Sequence, residues 1–360
     1  MNIAYVIPTR NRNERLAETL DALGQLGPHD ARVIVVDNAS DQPPDVPAML
    51  SSGVPIELIE LDSNRGAAAR NIGVEAADGC DWIVMLDDDS HPVDLRFLGC
   101  LERAPADVAV VSADIVLPNQ GCREIGGLPE VFIGCGAAIR RKQFRESGGY
   151  DETFGYYAEE YDLSAKLLGA GYHVRFDPRF RVEHHKVPGN RHMGTIIQRL
   201  VRNNGWVAQR HAPDDHLDPE LAEVKHRYRG LAERYGCIEA YEAGLDELER
   251  TIGTQVREPL NEQLFDRFCG LHAAREALTH VHSSLRFRSA TLWKPGKNAW
   301  VVRRVLAELG VEPVELGGDI AIVGTMSPGP MLDALSELGF GAFAPWKRAM
   351  EVTSELSGAA

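Results

Sequence analysis

Short apolar runs alternate with stretches of helical periodicity over roughly the first 90 residues, and this alternation constrains the fold more than any other feature. The runs at 3–7, 33–36 and 82–86 are continuously apolar, without the polar alternation of a half-buried strand. Between the first two runs, Leu16 and Leu20 recur at helical spacing. Strands buried on both faces are typical of a parallel sheet covered by helices. The sequence therefore predicts an α/β fold with a mostly parallel central sheet flanked by helices.

Polar side chains follow these apolar runs. Asp87, Asp88 and Asp89 come directly after the third run, and Asp37 and Asn38 come after the second. The carboxyl ends of parallel strands meet at one edge of a sheet, so these side chains are expected in one cleft. Clustered carboxylates repel each other, and a divalent cation among their oxygens relieves that repulsion. The cluster predicts a metal site, with a solvated acidic turn as the alternative.

The whole chain has the composition of a globular protein. It has 360 residues, 44% hydrophobic and 25% charged, and a formal net charge of -15 at pH 7. That charge argues against general attraction to nucleic acid or anionic lipid. The six cysteines lack paired zinc-ligand spacing, and no apolar run approaches the ~18 residues of a membrane span. Since the first residues also lack the basic flank of a signal peptide, we expect a cytoplasmic protein without a transmembrane segment.

Short motifs are spread over the first half of the chain. They are Asp-Asn-Ala-Ser at 37–40, Asn-Arg-Gly-Ala-Ala-Ala-Arg-Asn-Ile-Gly at 64–73, Leu-Asp-Asp-Asp at 86–89, Gly-Cys-Gly-Ala-Ala-Ile-Arg-Arg at 134–141, Gly-Gly-Tyr-Asp-Glu-Thr-Phe at 148–154 and Glu-Glu-Tyr-Asp-Leu at 159–163. Their order and spacing resemble those of family 2 glycosyltransferases of the GT-A fold. The resemblance extends over residues 1–212 and implies a GT-A nucleotide-sugar-binding fold for that part of the chain.

The resemblance also implies a reaction. Such enzymes transfer a sugar from a nucleoside diphosphate sugar, usually with inversion at the anomeric carbon, and Mn²⁺ or Mg²⁺ is the implied cofactor. The family position that supplies the base corresponds to Glu160, where Asp is more usual, and Glu159 and Asp162 are alternatives. A structural interpretation competes with this one, because acids at the start of a helix also favour its dipole.

The resemblance further implies a set of donor-site residues. Asp89 is expected to bind the metal, with His184 favoured over His185 as a second ligand. Asn38 stands where uridine-binding members often have Asp, so both UDP and dTDP donors are expected. The expected donor-binding residues are Pro8, Arg10, Asn11, Asp37, Asn38, Arg70, Asp87 and Asp88.

A basic segment after the histidines is expected to assist the donor. Its cations Lys186, Arg191 and His192 are expected to neutralise the diphosphate from a loop hinged at Pro188 and Gly189.

Three regions are predicted along the chain. They are a GT-A catalytic domain at 1–212, a mainly helical region at 213–290 and a small α/β unit at 291–360. The last two lie outside the resemblance, and we expect them to form a homo-oligomer, hold the acceptor or close over the donor. The acceptor is expected to be a small molecule, a carrier-bound molecule or a glycan, in natural-product or glycan biosynthesis.

Two other functions compete with sugar transfer. A sugar-1-phosphate nucleotidyltransferase also uses metal-bound aspartates, but the stretch from Pro8 to Asn13 has no glycine for the loop such an enzyme needs. A non-catalytic scaffold or carrier protein with the same fold is the second alternative. The retained acids argue against it.

Overall fold

The computed structural model describes residues 1–186, 192–338 and 342–357. The strands are β1 (Ile3–Thr9), β2 (Ala31–Asp37), β3 (Ile56–Glu60), β4 (Trp82–Met85), β5 (Ser90–Pro92), β6 (Val108–Leu117), β7 (Cys122–Arg123), β8 (Ala137–Arg140), β9 (His173–His184), β10 (Ser289–Trp293), β11 (Glu312–Val314), β12 (Ile320–Val323) and β13 (Ala342–Phe343). The helices are α1 (Asn13–Gly24), α2 (Ala69–Ala76), α3 (Arg96–Glu102), α4 (Arg141–Glu146), α5 (Glu159–Gly169), α6 (Met193–His211), α7 (Asp214–Tyr235), α8 (Ile238–Thr251), α9 (Glu262–Cys269), α10 (Leu271–Leu285), α11 (Ala299–Glu308), α12 (Pro328–Leu338) and α13 (Lys347–Ser357).

The main sheet has the strand order β3-β2-β1-β4-β8-β6-β9-β5, with β7 paired to β6. Strands β3, β2, β1 and β4 are parallel, as the continuous apolar runs predict. Beyond β4 the sheet becomes mixed, because β8 is antiparallel to β4 and β6, and β5 is antiparallel to β9. The predicted α/β fold is confirmed. The sequence did not predict which strands are antiparallel, because a pattern of apolar residues indicates burial and not strand direction.

Alternate residues of the central strands enter two different apolar layers. In β2, Val33 and Val35 pack on the side that holds α1 and α3, whereas Ile34 and Val36 pack on the side that holds α2, α4 and α5. Both faces of the sheet are therefore covered. The carboxyl-terminal edge of β1, β2 and β4 is left as the place where polar side chains meet.

The C-terminal part contains helices α7 to α10 and a second, parallel sheet with the order β11-β10-β12-β13. Strand β10 is not predicted by the sequence, because its short half-polar run has no clear period. A single apolar cluster joins Leu168 and Trp206 of the first region to Leu248 and Phe265 of the second and Val301 of the third. The predicted boundaries near 212 and 290 thus fall within a shared core, and separate domains stay a prediction. Among the described helices, none has the length and apolar character that crossing a bilayer requires.

Candidate active site

The three clustered aspartates lie where β4 ends and turns into β5. Thr9, the last residue of β1, donates its hydroxyl to Asp88 at 2.8 Å, and Ser90 donates its hydroxyl to the carbonyl of Cys135 at 3.0 Å. Asp88 and Asp89 are buried, whereas Asp87 is about one-third exposed. The parallel strands therefore bring the carboxylates to the predicted edge of the sheet.

Arg12, which the sequence analysis did not single out, binds two of these carboxylates. Its Nη1 lies 2.5 Å from Oδ1 of Asp88, and its Nη2 lies 2.6 Å from Oδ2 of Asp89. Burial raises the pKa of Asp88 to about 7 against the opposing charge of Arg12. Burial also acts to raise the pKa of Asp89, but the nearby charges of His184 and Arg12 lower it to about 2. A signal was present in the sequence, since Arg12 directly precedes α1 after the first strand.

His184 lies at the end of β9, opposite Ser90 of β5. Its Nε2 is 3.1 Å from Oδ1 of Asp89 and 3.9 Å from Oδ2 of Asp87. Within the described residues, neither this Nε2 nor that Asp89 oxygen has a hydrogen-bond partner, although both are buried. Two buried ligand atoms that face each other without a hydrogen bond fit a divalent cation. Asp87 and Cys135 each also offer a ligand atom within 4.8 Å of one on His184.

The other ring nitrogen of His184, Nδ1, contacts Glu124 and Cys135. Nδ1 lies 2.8 Å from Oε2 of Glu124 and 3.4 Å from Sγ of Cys135, and Lys186 forms a close ion pair with the same Glu124. Burial lowers the pKa of His184, but Cys135, Asp89 and Glu124 together raise it to about 12. A ligand imidazole held through its second nitrogen by a carboxylate is a common arrangement in metal sites. No motif in the sequence pointed to Glu124 or Cys135 in this role.

The side chain of His185 contacts Glu183 and His91 and not the aspartates that His184 contacts. Its Nε2 lies 3.3 Å from Oε2 of Glu183, and its ring stacks on His91 with the centroids 5.5 Å apart. The structure therefore brings His184, rather than His185, to the aspartates. Of the basic loop predicted to follow, Pro188, Gly189 and Arg191 lie outside the described residues.

The predicted base and its first alternative begin α5. Glu159 is buried, and its Oε2 has no hydrogen-bond partner among the described residues. Glu160 accepts a hydrogen bond from the Gly134 amide at 3.1 Å. Burial raises the pKa of both glutamates, and the charge of Glu160 raises that of Glu159 further.

Asp162, the second alternative, contacts three basic side chains of α5 and α6. Its carboxylate lies 2.9 Å from Nε2 of His211, 3.1 Å from Arg210 and 2.6 Å from Lys166. The contacts from His211 and Lys166 lower its pKa against the effect of burial. These contacts join α5 to α6, and the choice of base between Asp162 and the adjacent glutamates stays a prediction.

Arg70 of α2 links the two groups of acids. Its side chain is buried and forms a close ion pair with Asp87, and it also attracts Glu159 electrostatically. This guanidinium places positive charge between the aspartate cluster and the start of α5. The sequence predicted a donor-binding role for it, and its position beside Asp87 is compatible with that role.

An open cleft of about 890 Å³ lies in front of the aspartates and Arg70. His184, Glu159 and Glu160 are not among the residues that line it. Its walls include the predicted residues Pro8, Arg10, Asn11, Arg70, Asp87, Asp88 and Asp89, together with the unpredicted Arg12, Tyr156 and Tyr157. Asn11 is tied to Asp41 through its side chain, and the Arg10 guanidinium bonds the Ala39 carbonyl at 3.1 Å. Both lie at the exposed rim.

Asp37 and Asn38 are buried and do not line this cleft. Asp37 accepts hydrogen bonds from the amide and hydroxyl of Ser40. The amide group of Asn38 donates to the Gly66 carbonyl at 3.0 Å and accepts from the Arg65 amide at 2.8 Å. Their polar atoms therefore shape neighbouring turns, and direct contact of either side chain with a nucleoside stays a prediction.

The loop that leads into α5 is held by residues from elsewhere in the chain. The side-chain amide of Asn203 on α6 donates to the carbonyls of Phe154, Tyr156 and Tyr157 at 2.7–3.1 Å. Tyr157 and Ala158 adopt positive φ values, 75° and 69°, which L-residues rarely do. This strained backbone orients the tyrosines toward the cleft and sets the start of α5.

Lys297 approaches the same helix from the C-terminal part. Its Nζ contacts the Tyr161 hydroxyl closely and lies 3.8 Å from the centre of the Tyr161 ring. Burial lowers the pKa of Lys297 to about 7, while the charge of Glu160 opposes that change. The C-terminal part thus contributes a cation beside the candidate base, which its sequence did not reveal.

A sheet covered by helices on both faces, with an acid cluster at the carboxyl edge of its parallel strands, defines a fold of the GT-A glycosyltransferase class. Residues 5–161 match the sequence model of Glycosyl transferase family 2, so this part of the chain is a domain of that family.

Known proteins with similar sequence or structure agree with this assignment. Over 210 residues the chain is 30% identical to the pre-mycofactocin glycosyltransferase of Mycobacterium tuberculosis, covering 51% of this chain and 42% of that protein. It is 26% identical over 195 residues to an uncharacterized glycosyltransferase of Haemophilus influenzae, covering 46% and 62%. The chain thus spans about half the length of these curated relatives. The crystal structure of GalNAc-T7 with UDP, GalNAc and Mn²⁺ shares the fold, with a TM-score of 0.52 at 15% identity over 71% of this chain and 57% of that one.

Proposed function

We propose that this chain is an inverting, metal-dependent glycosyltransferase whose donor is a nucleoside diphosphate sugar with uridine or thymidine as its base. The observation that carries the proposal is the facing pair of buried atoms, Oδ1 of Asp89 and Nε2 of His184, 3.1 Å apart beside the cleft. A divalent cation satisfies both atoms. The diphosphate of a nucleotide sugar is a natural further partner for such an ion.

Asp89 and His184 are the residues that would hold the ion, with Asp87 within reach. When bound, the ion would supply positive charge to the departing diphosphate. Arg70 and Arg12 add positive charge from the protein on either side of the aspartates. Tyr156 and Tyr157 offer aromatic surface at the cleft wall for the nucleoside or the sugar.

Glu160 is proposed as the general base. It takes the proton of the acceptor hydroxyl while that oxygen bonds to the anomeric carbon and the bond to the diphosphate oxygen breaks. This single displacement inverts the anomeric centre. Burial raises the pKa of Glu160, which makes its carboxylate a stronger base than an exposed one, and the Gly134 amide orients it.

The class of acceptor is proposed from the names of two relatives. One relative is named for a natural product, pre-mycofactocin, and another for succinoglycan biosynthesis. We therefore propose a natural-product or glycan acceptor, with the C-terminal region as its binding surface or as a homo-oligomer contact. No observation favours the nucleotidyltransferase, and the family match argues against it.

Two variants separate donor binding from transfer. In calorimetry, Asp89→Ala is expected to abolish Mn²⁺-dependent binding of the UDP or dTDP sugar. Asp94→Ala, which changes a nearby half-exposed aspartate outside the cleft, should bind as the wild type does. Glu160→Gln is expected to retain donor binding and to lose transfer by about 10²–10⁴-fold. Glu146→Gln, on the exposed side of α4, is its control.

Three outcomes would count against the proposal. Unchanged Mn²⁺-dependent binding by Asp89→Ala would reject the metal assignment. Wild-type turnover by Glu160→Gln would move the base to Glu159 or Asp162. A true donor must stabilise the folded protein by mass action. If no nucleoside diphosphate sugar raises the melting temperature of the wild type, the non-catalytic scaffold is the better interpretation.

A further inference from the structure

Three metal-ligating side chains lie together on the β5–β9 pair, and none of them lines the donor cleft. They are His91 of β5, Glu183 of β9 and His185, which follows β9 directly. One ligand atom of each lies within 4.8 Å of the other two. All three side chains are half-buried, so solvent ions can reach them.

The alternation of side chains along a strand explains why this group is separate from the aspartate site. His184 points toward the aspartates, so Glu183 and His185 on either side of it point to the opposite face. His91 is the register partner of Glu183 across the antiparallel pair, and directly opposed side chains share a face. The strand geometry therefore assembles two imidazoles and a carboxylate on one surface.

The separations fit a small transition-metal ion. Ligand atoms around tetrahedral zinc, at bond lengths of about 2.0–2.1 Å, are about 3.4 Å apart. Nε2 of His185 and Oε2 of Glu183 are already 3.3 Å apart. Only the His91 ring, stacked on His185 at 5.5 Å between centroids, would have to move closer.

We propose that His91, Glu183 and His185 form a second divalent-cation site, suited to Zn²⁺, on the face of the β5–β9 pair opposite the aspartates. Two imidazoles with one carboxylate favour zinc over Mn²⁺ or Mg²⁺, which prefer oxygen ligands. Solvent supplies the fourth ligand at this half-exposed position. The bound ion joins β5 to β9 next to Asp89, whose carbonyl accepts a hydrogen bond from the His185 amide at 2.7 Å.

Zinc stoichiometry on the full chain tests this proposal. The metal-free protein is titrated with ZnCl₂ against a chromophoric chelator. His91→Gln is expected to bind about one zinc ion fewer per chain than the wild type, and Glu183→Gln and His185→Gln to lose the same equivalent or to bind it at least about 10-fold more weakly. His280→Gln, on the exposed side of α10, should keep the wild-type stoichiometry.

The Asp89→Ala background distinguishes the two sites. Because the sites use different ligands, His91→Gln should again remove one equivalent there, and His91→Gln alone should retain Mn²⁺-dependent UDP binding. Equal stoichiometry in the wild type and all three variants would overturn the proposal and leave the histidines as a stacked pair. Disappearance of the difference in the Asp89→Ala background would also overturn it. The zinc readout does not depend on glycosyl transfer, and melting of each metal-free variant checks that it is folded.

Discussion

At the scale of single residues, Arg12 is the group that balances the aspartate cluster. Its two terminal nitrogens bind Asp88 and Asp89 at 2.5 and 2.6 Å, and about a third of its side chain is exposed. Both carboxylates are buried, so their charge needs a partner even when no cation is bound. Arg12 therefore stands where protein charge and a metal ion would compete for the same oxygens.

Arg12→Gln is expected to destabilise the metal-free protein by about 1–3 kcal/mol, because two buried carboxylates lose the guanidinium that they share. A divalent cation can replace the lost charge. Mn²⁺ should therefore raise the melting temperature of the variant by more than it raises that of the wild type. Thermal melts with and without MnCl₂ measure both effects.

Arg15→Gln is the matched control for this change. Arg15 lies in the first turn of α1, which Arg12 directly precedes, and it pairs only with the exposed Glu18 among the ion pairs found in the described residues. Its removal should cost less than about 1 kcal/mol and should leave the Mn²⁺ response unaltered. An identical Mn²⁺ response in wild type and Arg12→Gln would show that Arg12 and the ion do not share the carboxylates.

At the scale of elements, the turn before α2 packs directly against the loop before α5. Gly66 has a φ of 59°, and a Cβ built on it would lie 2.1 Å from the Gly155 carbonyl oxygen. The Ala67 amide donates to that same oxygen at 2.6 Å. Absence of a side chain at Gly66 thus lets one element fix the loop that carries Tyr156 and Tyr157.

Gly66→Ala is expected to displace the loop before α5 and to lower transfer at least about 10-fold, because the tyrosines and Glu159 shift together. Gly79→Ala is the control, since Gly79 also has a positive φ, 76°, but nothing lies within 4 Å of its Cβ position. Both changes carry backbone strain. Gly66→Ala should cost about 1–3 kcal/mol more in the free energy of unfolding. Equal losses of stability and activity in the two variants would contradict the claim that the contact between Gly66 and Gly155 positions the loop before α5.

At the scale of the whole molecule, the C-terminal part is joined to the catalytic part by charge as well as by apolar packing. Lys297 follows β10 and reaches Tyr161 beside Glu160. The base works deprotonated, so transfer should fall as pH drops through the raised pKa of Glu160. Lys297 carries its charge mainly below its own pKa of about 7 and favours the ionised carboxylate there.

Lys297→Met is expected to move the acidic limb of the pH–rate profile to higher pH, because removal of a nearby positive charge raises the pKa of Glu160. Above about pH 8 the variant and the wild type should converge, since Lys297 of the wild type is then mostly neutral, as is the methionine of the variant. Lys294→Met, which removes an exposed lysine paired with Glu337, should leave the profile unchanged. A pH-independent loss of rate would point to a purely structural role for Lys297.

The shared apolar core leads to a prediction about the fragment 1–212. Removing the rest of the chain exposes Leu168, Trp206 and Val207, which pack in one cluster with Leu248 and Phe265. Exposed apolar surface of this kind favours aggregation. The fragment is therefore expected to lack a cooperative melting transition by circular dichroism. A sharp transition near that of the full chain would support the predicted domain boundary at 212.

Local sequence determined the first half of the sheet and the position of its acids. Continuous apolar runs predict β1, β2 and β4, and the polar residues after them meet at one edge because parallel strands end on the same side. The motif order also indicated the family and Glu160. These features depend on neighbours in the chain, which is why they can be interpreted without coordinates.

Tertiary structure alone decided which groups contact one another. Arg12 meets Asp88 across 76 positions, Asn203 meets the loop at Tyr156 across 47, and Lys297 meets Tyr161 across 136. Periodicity reports burial but carries no information on partners so distant in the chain. The choice between His184 and His185 depended on the register of β9 against β5, because a shift of one residue exchanges the faces of the strand.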